Sequence, residues 1–148
     1  MSLDKLVGTR QLQPHDASPE SLQRLLAAIR RDLADAKASG ISDETRFDAA
    51  CKSVMRCAMT GLRVAGYRPA TSMPGHHQTM IQTLPLTLGV SRERWLVLDA
   101  FRRKRNINDY SGDLIDPESV RACLAEAQAL FDDTLAWLQQ KQPELFRQ

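Results

Sequence analysis

Apolar residues return every three or four positions along most of this chain, and nowhere does a stretch alternate in the two-residue period of a half-buried strand. Leu22, Leu25, Leu26, Ile29, Leu33 and Ala36 form the first such stripe. Ser18 stands before it as a capping residue, Pro19 takes the first helical position, and Gly40 is the expected stop. A second helix begins after Ser42, with Asp43 and Glu44 favourably placed at its positive end. Phe47, Ala50, Val54, Cys57, Ala58 and Leu62 line one side of it, and Gly66 ends it. Met55, Met59 and Ala65 spill beyond that side, which predicts either a central helix or one that faces a second subunit.

Residues 67–75 are rich in Pro, Gly and Ser and read as a loop. A third helix is expected over residues 76–88 on Met80, Ile81, Leu84 and Leu88, kinked or ended by Pro85. Ser91 caps a fourth that runs to about Arg105, with Trp95, Leu98 and Phe101 inward and Leu96 and Val97 as further candidates for that side, followed by a loop over residues 106–115. Asp116 and Pro117 open the fifth and longest, which carries Val120, Cys123, Leu124, Ala127, Leu130, Phe131, Leu135 and Leu138 and stops before Pro143. Five helices on short connections predict an all-α, up-and-down bundle. The domain spans residues 18–142, with an extended or mobile arm over residues 1–17 and a tail over residues 143–148. The opening Met-Ser-Leu has the look of a cloning remnant.

Composition agrees with this plan. At 148 residues the chain is long enough to bury a core without staples. Aromatics are only 5%, so that core must be aliphatic, which suits packed helices. No apolar run approaches the ~20 residues of a membrane span, and no signal-peptide core is present. Cys51, Cys57 and Cys123 lie on apolar helical stretches and read as small core residues of a protein in a reducing compartment, the cytoplasm.

Net charge is only +2, yet residues 102–105 read Arg-Arg-Lys-Arg. Four consecutive cations cover every face of a helical turn, so some of them must meet solvent or a partner. One reading is a helix end that tolerates positive charge. The other is an anion site, in which Arg102, Arg103, Lys104 and Arg105 offer donors to phosphate while Asn106 and Tyr110 add neutral hydrogen bonds. A second constellation is Ser72-Met73-Pro74-Gly75-His76-His77. Adjacent histidines point about 100° apart on a helix and cannot chelate one ion together, so no metal site is expected there. His76 and His77 either pack locally or contact phosphate. No Walker loop, dinucleotide fingerprint or His-Glu-x-x-His is present, and no cofactor is expected.

At this point the chain resembles the HEPN superfamily of nucleotide-binding helical domains. The resemblance rests on the stretch Arg46-Phe47-Asp48-Ala49-Ala50 in a helix ending Gly66-Tyr67-Arg68, on Gly75-His76-His77 before the next helix, and on Arg105-Asn106 after Leu98-Asp99-Ala100-Phe101-Arg102. It covers about residues 42–140. It implies a four- or five-helix bundle, a homodimer that brings two Arg motifs together, and either RNA or nucleotide binding or metal-independent ribonuclease activity, often with a nucleotidyltransferase as partner. The family's active form carries Arg, four to six residues, then His. Here Arg105 and Asn106 match the first part, and Tyr110 stands where the His is expected.

Tyr is a poor base at neutral pH, and Arg stabilises a charged phosphorane without accepting its proton. The leading expectation is therefore a binding module for RNA or a nucleotide phosphate. The first alternative is a divergent metal-independent endoribonuclease of a toxin–antitoxin or defence system, with Arg105, Asn106 and Tyr110 as its catalytic set, or with a proton acceptor from His76 or His77. The second is a ligand-free interaction subunit.

Overall fold

The computed structural model describes residues 2–71 and 75–146. Helices α1 (Leu3–Gly8), α2 (Pro19–Lys37), α3 (Asp43–Ala65), α4 (His76–Gln82), α5 (Leu84–Thr87), α6 (Arg92–Ser111) and α7 (Pro117–Lys141) account for most of the chain. The three longest apolar stripes make an all-α bundle: α2 and α3 form a hairpin, and α7 packs across both. Helix α3 is the axis, touching α2, α4, α5, α6 and α7.

Helix starts follow the chemistry of their caps. The side-chain oxygens of Ser18, Ser42, Ser91 and Asp116 accept from the backbone N–H three residues on, satisfying a donor that the helix itself leaves open. Gly66 closes α3 in the left-handed conformation. The break between α4 and α5 falls at buried Thr83, whose hydroxyl donates to the Met80 carbonyl at 2.6 Å. Pro85 then sits in the first turn of α5, where a missing N–H costs nothing.

Three expectations are corrected. Residues 2–17 of the expected extended or mobile arm are packed on the bundle: α1 is followed by β1 (Leu12–Pro14), which pairs antiparallel with β2 (Tyr67–Pro69) in the register Leu12 to Pro69, Gln13 to Arg68 and Pro14 to Tyr67. Leu6 and Leu12 are buried in the main core, and their burial offsets the entropy of ordering the segment. The tail is also held, as a 3-10 turn over Pro143–Phe146 with Leu145 buried. Helix α6 does not end near Arg105; it runs on to Ser111 and is closed by Gly112 at φ 71°. The expected loop over residues 106–115 thus shrinks to residues 112–116.

Two of the three surplus apolar residues of α3 are covered within one chain. Met55 is buried and Met59 half-buried, because α4, α5 and α6 cover the side that α2 and α7 leave open, while Ala65 is exposed. The two methionines are therefore those of a central helix. Gly61 shows how tightly α3 is enclosed: a Cβ placed there would lie 2.8 Å from the Thr87 hydroxyl of α5. Among the described residues no helix is long and apolar enough to cross a membrane.

Candidate anion site

Helix α6 is positioned less by apolar burial than by polar ties. Only Leu98 and Asp99 along its length are fully buried, and Leu96 and Val97, expected as candidates for the inner side, are exposed. Its first half is held to α7 by Arg94, which bonds Asp133 and lies 3.8 Å from Glu126. It is held to α4 by the Trp95 indole N–H, which donates to the Ile81 carbonyl at 2.9 Å. Phe101 meets the buried Phe47 edge to face, with ring centres 6.0 Å apart. These ties fix the distance between α6 and the start of α4, where the two histidines lie.

Each cation of the 102–105 run has a carboxylate partner. Arg102 donates through Nε to Asp99 at 2.8 Å, and Arg103 reaches the other oxygen of Asp99 at 3.0 Å. Lys104 bonds Asp116 at 2.8 Å and the Ser119 hydroxyl at 2.6 Å, tying α6 to the first turn of α7. Those bonds hold the Asp116 carboxyl well below the usual carboxylate range. Arg105 donates through Nε to Asp48 of α3. Around the site, three guanidiniums stand against two carboxylates, so the local excess is one positive charge.

The structure brings together four of the residues expected from sequence. His77, Arg102, Arg105 and Asn106 line one narrow crevice whose floor is apolar and includes Leu98 and Phe101. Its interior measures about 10 Å³, room for a single water-sized molecule. At the surface it opens beside a wider hollow of about 270 Å³, edged by His76, His77, Arg102 and Asn106. Arg102 and Arg105 both use Nε for their carboxylates, and their Nη groups have no hydrogen-bonded partner among the described residues. This is the geometry that leaves the outer fork of a guanidinium for an oxyanion. Partial desolvation, with His76, Arg105 and Arg102 close by, holds the His77 imidazole below the usual histidine value. At neutral pH it is a neutral ring with a lone pair to offer.

The remaining expected residues go elsewhere. The Arg103 side chain is 68% exposed and points away from the crevice, and Lys104 is engaged by α7. Tyr110 is 94% exposed at the far end of α6 and does not line the crevice. Residues 72–74 of the Ser-Met-Pro-Gly-His-His stretch lie outside the described residues. Helix α4 has seven residues, too short for its amides to carry an anion site, so the imidazoles matter more than the helix end. Among the described residues no cluster of His, Cys, Asp or Glu is able to hold a metal ion.

Two residues that sequence reasoning missed belong here. Asp99 is a buried carboxylate that orients two guanidiniums, and Asp48 orients Arg105 from α3. Asp99 carried a readable signal, since an acid three and four residues before two arginines is spaced for helical ion pairs. Asp48 lies 57 residues from Arg105 and only the fold joins them.

Comparison with family models, with curated proteins and with solved structures finds no match to this chain.

Proposed function

We propose that the mouth of the crevice between α4 and α6, where it meets the wider hollow, binds a phosphate group of RNA or of a nucleotide. The observation that carries this reading is that His77 shares one crevice with Arg102, Arg105 and Asn106 although it belongs to a different helix. Two oriented guanidinium forks and an amide supply donors, and the neutral imidazole accepts or donates as the ligand requires. The resemblance to HEPN domains points the same way. With an excess of one charge, the site suits one or two phosphates. Plotted against log salt, the log of the RNA affinity should therefore fall with a slope of about −1 to −2, and not the steeper slope of four unpaired cations. Arg105→Ala is expected to weaken binding at least about tenfold, the order of one charge-assisted contact. RNA binding that is absent at low salt, or indifferent to salt, overturns the proposal.

One observation favours ribonuclease activity as a second reading. The family's histidine is missing after Arg105, yet His77 stands where a neutral base is useful. In that reaction the ribose 2′-oxygen attacks phosphorus, its proton passes to His77, and Arg102 and Arg105 stabilise the charge on the phosphorane oxygens. The 5′-oxygen leaves with a proton from His76 or solvent. Labelled RNA incubated with EDTA decides this: cleavage lost in both His77→Ala and Arg105→Ala supports it, and cleavage that survives Arg105→Ala removes it.

A homodimer belongs to the same proposal, now seated on α6. Leu96, Ala100, Arg103, Ile107 and Tyr110 are all exposed and spaced four, three, four and three apart, which places them in one row. Laid antiparallel about Arg103, two copies set Leu96 against the partner's Tyr110 and Ala100 against the partner's Ile107. Large side chains meet small ones near the centre. The two central Arg103 groups repel, so phosphate should strengthen association. Sedimentation at tens of micromolar, with and without phosphate, tests this; a monomer in both buffers overturns it. The same row supports the reading of an interaction subunit for another protein, for which a nucleotidyltransferase encoded beside this chain is the natural check. Free buried thiols fit a cytoplasmic setting.

A further inference from the structure

The floor of the crevice holds two cysteines. Cys51 of α3 and Cys123 of α7 place their sulfur atoms 3.9 Å apart, both buried, and both line the crevice whose mouth is formed by His77, Arg102 and Arg105. The third thiol, Cys57, is fully buried and does not line it. Burial pushes Cys57 up to about 12, an inert core thiol. Two thiols in contact at the end of a passage are a different case from a lone core cysteine.

We propose that Cys51 and Cys123 are an oxidisable pair, converted by a small peroxide to a disulfide that reshapes the crevice above it. The reasoning concerns access, order and consequence. The passage holds about one water-sized molecule, so hydrogen peroxide is the oxidant nearest to it in size, while a tripeptide disulfide such as oxidised glutathione is far too large. Of the two, Cys51 is the one that reacts first. It is slightly exposed where Cys123 is not, so an oxidant entering the passage meets it first. Cys123, sharing a proton with Cys51 and desolvated, is held far above the usual thiol range and serves as the resolving partner.

The Cys51 sulfur attacks one peroxide oxygen, the O–O bond breaks, and water leaves a sulfenic acid behind. The Cys123 sulfur then attacks that sulfur, the S–O bond breaks, and a second water departs. In total two thiols and one peroxide give one disulfide and two waters, the thiol protons leaving in the water. Burial of both sulfurs, with the Cys123 thiol held high, makes the reaction slow, on the order of minutes to hours.

Closing the gap from 3.9 Å to the ~2.05 Å of an S–S bond draws α3 and α7 together under α6. Cys51 already lies 4.0 Å from the Phe101 carbonyl, so the shift is passed to the turn of α6 that carries Arg102 and Arg105. The pair stands independently of what the mouth of the crevice binds.

The test is to expose the folded protein to hydrogen peroxide, or to oxidised glutathione, beside a control peptide with one free thiol. Remaining thiols are alkylated after unfolding, and the digest is mapped by mass spectrometry. The expected result is a Cys51–Cys123 cross-link two hydrogens lighter than the free pair, with Cys57 alkylated, and no cross-link from oxidised glutathione. Oxidation should also move the His77 ring resonance, and Cys51→Ser should abolish both effects. Three alkylatable thiols after the control peptide is fully oxidised overturn the proposal. So does a cross-link that involves Cys57, an equal yield in urea, or oxidation by oxidised glutathione at the rate seen with peroxide.

Discussion

Helices α6 and α7 are of similar length, 20 and 25 residues, and are built on opposite principles. Helix α7 buries seven residues in a continuous stripe, whereas α6 buries two, one of them the carboxylate of Asp99. Apolar burial fixes α7 without reference to salt or pH. Helix α6 hangs on a hydrogen bond from Trp95 and on ion pairs of Arg94, Lys104 and Arg105, and the ion pairs depend on both. The difference separates a scaffold from a working edge: the residues free to meet a ligand or partner are on the helix that the core does not need.

Substitutions should divide accordingly. Leu130→Ala, fully buried in α7, is expected to cost about 2–5 kcal/mol in urea unfolding, and a smaller cost would mean that α7 is less essential than its burial implies. Next in size is Asp99→Ala, which leaves Arg102 without its buried acceptor. A loss of about 1–3 kcal/mol is expected, together with weaker phosphate binding as the fork of Arg102 loses its aim. If Asp99→Ala lowers stability and leaves binding untouched, Asp99 belongs to the scaffold and the division is wrong. Gly61→Ala sets a gain in helix propensity of about 1 kcal/mol against a steric clash with Thr87 of about 1–3 kcal/mol. A net loss near 1 kcal/mol is expected, and a gain would show that α5 yields easily.

Proton binding sharpens the contrast further. His77 titrates below the ordinary histidine value in the folded protein, so its contribution to stability is complete above about pH 6.5 and is lost as pH falls through its lowered pKa. By NMR, inorganic phosphate should move that titration upward, because an anion favours the imidazolium. Arg105→Ala should do likewise by removing a neighbouring cation. A midpoint that ignores both would place His77 outside the site. The smallest effect is expected from Ile107→Ala on the outer face of α6. At 65% exposure it should change stability by less than about 0.5 kcal/mol in dilute solution. A loss that grows with protein concentration would instead reveal a buried interface.

The same contrast explains how far the sequence could be read. Helices α2, α3 and α7 were legible because their stripes and caps coincide: Ser18 with Pro19, Ser42 with Asp43, Asp116 with Pro117. The end of α6 was not, because Asn106, Asn108 and Asp109 are weak helix formers whose extra turns rest on contacts from outside the helix. Arg105 reaches Asp48, and Asn108 bonds the Asp113 carbonyl beyond the Gly112 cap. At the candidate site, Arg102 was named from residue type, and Arg105, Asn106 and His77 from residue type together with their place in a motif. Tyr110 was named from its place in a motif, and the extra turns of α6 carry it away. The ribbon of β1 and β2 left no trace because three-residue strands are too short to show a period.

That ribbon has a consequence for the order in which the chain assembles. Gln13 and Arg68 are 55 positions apart, and the whole α2–α3 hairpin lies between them. Pairing them early would close a long loop around unfolded chain, at an entropic cost that only a formed hairpin removes. The ribbon is therefore expected to zip last, after α2 and α3 have met, and to open first. Amide exchange at His15 and Ala70, whose N–H groups bond Gly66 and Gln11 across it, should be fast beside that of Val54 or Leu62. The first seventeen residues would then be a latch, fastened once the bundle has found its shape.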